Sequence, residues 1–116
     1  MKIKNSFKVH SRIWISTEDG SYLGEGRIAL LKEIQTHKSI AKAAKSMKMS
    51  YKKAWSMVNS MNMISNTPLV IRTTGGTGGG GSKITETGIK AIKLFNEIKI
   101  SSQQHLDSKI DQLDFS

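Results

Sequence analysis

The chain has 116 residues, 37% of them apolar and 23% charged, the size of one ordinary domain and too small for two independent catalytic units. It has no cysteine, which excludes disulfides, thiolate metal sites and thiol nucleophiles and argues against redox chemistry. Eighteen Lys and Arg against nine Asp and Glu leave a net charge of +9, and residues 34–85 hold eight of those cations and no acid.

In chain order, residues 7–16 place Phe7, Val9, Ile13 and Ile15 at alternate positions, the period of a half-buried strand. Asp19 and Gly20 read as a turn, followed by Gly24, Glu25 and Gly26. Ile28, Leu30, Leu31 and Ile34 then predict a first helix from about Gly26 to His37. Ser39 offers a cap for a short second helix whose inward stripe is Ile40, Ala43, Ala44 and Met47. Lys48 and Met49 turn the chain, and Ser50 offers a second cap. Tyr51, Ala54, Val58 and Met61 predict a third helix, ending near Ile64 before Asn66, Thr67 and Pro68. Residues 69–73 read as a strand, residues 75–81 as a mobile glycine loop, and residues 82–84 as its returning strand. Thr85 caps a long last helix with Glu86 at its positive end, and Ile89, Ile92, Phe95 and Ile98 form its inward stripe. The polar residues 101–104 are a place for a bend or for exposure. Leu106, Ile110 and Leu113 make a seam suited to a partner helix.

This order is that of a mainly α fold with a small β wing, a winged helix-turn-helix: helix-turn-helix at about 39–64, wing at about 69–84, and a dimerisation helix at about 85–113 within a single domain of residues 1–116. The acid-free basic window covers its middle. A concentrated positive field attracts a polyanion, with nucleic acid as the first expectation and an anionic membrane surface or an acidic protein as alternatives. In such folds the second helix of the pair enters the major groove. With Ala54, Val58 and Met61 turned inward, Lys52, Lys53, Ser56 and Asn59 are left to face outward, with Ser50 and Tyr51 at the first turn. Ser39 and Lys42 beside the turn, and Arg72, Thr73, Thr74, Thr77 and Lys83 on the wing, complete the candidate DNA contacts. Trp55 is expected in the core, and Met47, Met49, Met57, Met61 and Met63 as gap-fillers.

The stretch Ser39, Ile40, Ala41, Lys42, Ala43, Ala44, Lys45, then Met49, Ser50, Tyr51, Lys52, Lys53, Ala54, Trp55, then Asn59, Ser60, Met61, Asn62 resembles the DNA-binding domain of the ModE family of molybdate-responsive transcriptional regulators. Arg72, Thr73 and Thr74 with the glycines after them are similar to that family's wing, and residues 84–88 resemble the opening of its final helix. The resemblance covers roughly residues 20 to 100. The two alanines and methionine of the second helix are shared by many LysR-like winged helices, whereas residues 50–55 with the glycine wing are more specific. The resemblance implies a homodimer, joined through the first and last helices, that binds a two-fold symmetric operator as a cytoplasmic regulator. Family members sense molybdate through C-terminal β-domains; this sequence ends at Ser116 after its last helix, so the expectation is a DNA binder that lacks its own molybdate sensor.

The glycine run does not fit a phosphate-binding Walker loop, because Gly81 is followed by Ser82, Lys83 and Ile84 rather than by Lys and a hydroxyl residue. His10, His37 and His105 lie in three different elements without metal-ligand spacing, and no base stands beside a candidate nucleophile. The expectation is no enzyme, no metal and no cofactor. The alternative function is a winged-helix module that docks an acidic protein. No apolar run approaches the ~20 residues that span a bilayer, and the N-terminus lacks an export signal, so a soluble intracellular chain is expected.

Overall fold

The computed structural model describes residues 7–74 and 81–113. Eight elements follow in order: strands β1 (Trp14–Thr17) and β2 (Gly20–Gly24), helices α1 (Glu25–His37), α2 (Ile40–Ser46) and α3 (Tyr51–Ile64), strands β3 (Val70–Thr73) and β4 (Gly81–Ile84), and helix α4 (Glu86–Ile110). β1 pairs antiparallel with β2, and β3 with β4, as two separate hairpins. Among the described residues, no helix is long and apolar enough to cross a membrane.

The N-terminal hairpin departs from the alternation read in residues 7–16. The strand begins only at Trp14, and its partner is Gly20–Gly24, a segment in which the sequence reading places no strand. A strand exists only where a neighbour takes its backbone hydrogen bonds. β2 reaches back no further than Trp14, so residues 7–13 run outside a ladder, with the Val9 carbonyl accepting from Gln103 Nε2 at 2.8 Å instead.

The three central helices follow their apolar spacing. Ile28, Leu30, Leu31 and Ile34 of α1, Ala43 and Ala44 of α2, and Ala54, Val58 and Met61 of α3 are all buried in one core with Leu23, Leu69, Val70, Ile84 and Phe95. Both predicted serine caps form. The Ser39 hydroxyl accepts from the Lys42 N–H at 3.1 Å and the Ser50 hydroxyl from the Lys53 N–H at 3.0 Å, which satisfies one orphan amide at the start of each helix. Lys38 and Lys48 end the preceding helical segments, each with φ of 57°. α1 thus closes in a left-handed residue without glycine.

α4 also starts where its cap lies: the Thr85 hydroxyl accepts from the Gly88 N–H at 3.1 Å. Its inward stripe is narrower than the sequence suggests. Phe95 is buried, Ile92 packs at the edge of the core, Ile98 is half-buried and Ile89 is 47% exposed. A helix of 25 residues extends about 37 Å at 1.5 Å per residue, further than a core this small can cover. Residues 101–104 neither break nor end it. Leu94 and Ile100 remain exposed along its length, and Leu113 is exposed beyond its end.

Candidate nucleic-acid interface

The geometry of this face starts from the root of the second hairpin. Asn62, near the end of α3, uses its whole amide to hold β3. Its Oδ1 accepts from the Leu69 N–H at 2.8 Å and the Val70 N–H at 3.3 Å, while its Nδ2 donates to the Val70 carbonyl at 2.9 Å. The other strand hangs on α1: the Ser82 N–H donates to the Lys38 carbonyl at 3.0 Å. A Cβ on Gly81 would stand 2.6 Å from that same oxygen, so only glycine lets the strand come this close. Helix α3 and the wing are therefore fixed to each other through two different elements.

Held in this way, the start of α2, the start of α3 and the wing surround one open concavity of about 360 Å³, lined by Ser39, Tyr51, Arg72, Thr73 and Thr74 among others. Five of the sequence-predicted contacts thus meet in one place. The Ser39 hydroxyl is already an acceptor for its helix, yet keeps its proton to donate outward. The Thr73 hydroxyl accepts from the Gly81 N–H at 3.2 Å and closes the wing strands.

Ser50, Lys52, Lys53, Ser56 and Asn59 are all exposed on α3, opposite its buried stripe, and Lys42 is exposed on α2. Lys83 stands apart from Arg72. In the hairpin register Arg72 faces Ser82 and Ile71 faces Lys83, and successive side chains of a strand point to opposite faces. Lys83 instead borders a groove with Ile34, Lys38, Ile84 and Ile89. Thr77 lies outside the described residues.

Two expectations fail on α3. Trp55 is 43% exposed rather than in the core, and Met63 is 78% exposed rather than filling a gap. The step from Ala54 to Trp55 turns about 100° around the helix, enough to leave the buried stripe. Asn62 carries part of the family resemblance but has no role in the sequence reading; a polar residue on the flank of an apolar stripe is the other signal it offers.

No family model matches the chain. It is 36% identical over 103 residues to the molybdenum transport protein ModE of Azotobacter vinelandii, covering 89% of this chain and 38% of that protein. The chain is a homologue of the ModE regulators. It is also 45% identical to the transcriptional regulator ModE of Yersinia pestis, over 73% of this chain and 32% of that protein, and 43% identical to the DNA-binding transcriptional dual regulator ModE of Escherichia coli K12, over 70% and 31%. The chain thus spans about a third of the length of these curated relatives. A solved LysR family transcriptional regulator aligns with a TM-score of 0.50 and 15% identity, over 71% of this chain and 28% of that one. At that identity the likeness bears on the fold alone, and it agrees with the winged helix-turn-helix described above.

Proposed function

We propose that this chain binds double-stranded DNA as a cytoplasmic, ModE-like transcriptional regulator in molybdenum-related control, placing α3 in the major groove and the wing on the backbone. It works as a homodimer joined through α1 and α4, with one α3 per half-site, and performs no catalysis. The observation that carries this reading is the concavity where α2, α3 and the wing converge, set within residues 34–85, which contain no acid. Lys42, Lys52 and Arg72 contact phosphates. Ser39 and the wing residues Thr73, Thr74 and Thr77 bond the backbone, while Ser50, Tyr51, Lys53, Ser56 and Asn59 face the base edges.

Titrating the protein with duplex DNA over a range of salt concentrations tests this. Three phosphate-pairing cations per protomer give a dimer a log-log slope of about −5. Lys53→Ala lowers affinity for a selected site more than for random duplex, whereas Arg72→Ala lowers both alike. Binding random duplex no better than a neutral control protein at low salt refutes the reading.

A further inference from the structure

The exposed aromatic edge of α3 has no role in a purely ionic grip. Tyr51 and Trp55 are 49% and 43% exposed, four residues apart and therefore on one ridge, about 40° round the helix from each other. Asn59 continues the ridge one turn further and is also exposed. Tyr51 lines the concavity beside Arg72 and Thr74, so the ridge runs along the wing side of α3. The segment that carries the ridge, residues 34–85, also holds Lys42, Lys45, Lys48, Lys52, Lys53 and Arg72 and no acid; an anionic surface fits there.

Resting on the DNA-binding reading above, we propose that Trp55, with Tyr51 on the turn before it, determines sequence specificity by covering the C5-methyl groups of thymines in the major groove. Bases in a duplex are already stacked and paired, so a ring on an inserted helix meets only their edges. On those edges thymine's methyl is the one bulky apolar group; apart from the small C5–H of cytosine, the other atoms that distinguish the pairs are hydrogen-bond donors or acceptors. An indole ring held amid lysines gains by burying a methyl and gains nothing from a phosphate. Asn59, next on the ridge, can pair with an adjacent adenine edge, so the ridge selects thymine beside its neighbours rather than A·T content in general.

The experiment uses the full chain. Duplexes are selected from a random pool, and each thymine of the best site is replaced singly by deoxyuridine, which removes the methyl and keeps the pairing. Wild-type protein is expected to lose about four-fold in affinity at one or two positions per half-site, the worth of one buried methyl, and Trp55→Ala is expected to bind thymine and deoxyuridine sites equally. Trp55→Gln, which keeps a long side chain, gives the same comparison if the alanine variant fails to fold. Equal wild-type affinity for every deoxyuridine site, or a methyl effect that survives in both variants, overturns the assignment while leaving DNA binding intact. Failure to enrich any duplex overturns the DNA-binding reading with it.

Discussion

Gly88 offers the sharpest test of how α4 is seated. It is the third residue of the helix and buried, with its N–H on the Thr85 hydroxyl. A Cβ there would stand 2.5 Å from the Leu69 carbonyl oxygen and 2.6 Å from Ile84 Cγ2. The oxygen has no room to retreat, because it accepts from the Thr85 N–H at 3.0 Å and the Thr85 hydroxyl at 3.3 Å, and Leu69 itself is fully buried. Alanine in place of glycine favours a helix by about 1 kcal/mol, while forcing a methyl into a packed site costs about 1–3 kcal/mol, toward the upper end where the neighbour is backbone. The contact wins by about 1–2 kcal/mol, and at roughly 4–8 °C per kcal/mol for a domain near this size, Gly88→Ala melts lower by roughly 4–16 °C. Gly26 supplies the control. It too lies in the first turn of a helix, and a Cβ there meets nothing within 4 Å, so Gly26→Ala leaves stability unchanged or raises it by up to about 1 kcal/mol. Scanning calorimetry of the two variants decides the matter: Gly88→Ala as stable as Gly26→Ala would refute the steric account.

Asn62→Ala strips three hydrogen bonds from the root of β3 and leaves buried backbone groups unpaired; chemical denaturation should show a loss of about 1–3 kcal/mol, and Asn62→Asp, which sets a carboxylate oxygen against the Val70 carbonyl, should not restore it. Ser39→Ala and Ser50→Ala each remove a helix cap and cost about 0.5–2 kcal/mol; additive losses in the double variant are expected, and a variant as stable as wild type would contradict the cap role. Ile100, 58% exposed on α4, lies on the surface assigned to self-association. Ile100→Glu shifts a dimer toward monomer in sedimentation velocity without lowering helix content, and an unchanged sedimentation coefficient would put the interface elsewhere.

Features that depend on a few neighbouring residues were legible in the sequence. A serine three residues before a backbone N–H needs no tertiary information to act as a cap, so Ser39 and Ser50 could be read directly, and the stripes of α1 and α3 follow from helical spacing. Pairing is different. The alternation of residues 7–16 carries no sign of how far a partner strand extends, and β2 hides in a short glycine-bounded segment that begins at the turn residue Gly20. The wing contacts were chosen as a set, but the register that separates Arg72 from Lys83 depends on where two strands meet across a loop. Trp55 was lost for a third reason: adjacency to a buried alanine says little on a helix, where the next residue points a quarter-turn away.

The second hairpin is fastened at both roots, β3 to the Asn62 amide of α3 and β4 to the Lys38 carbonyl that closes α1. Two anchors on separate helices deny it a hinge. The distance between α3 and strands β3 and β4 is consequently a built-in gauge, set before any target is met; under the proposed DNA binding, a duplex would conform to that span by its own groove width rather than the protein opening to suit it.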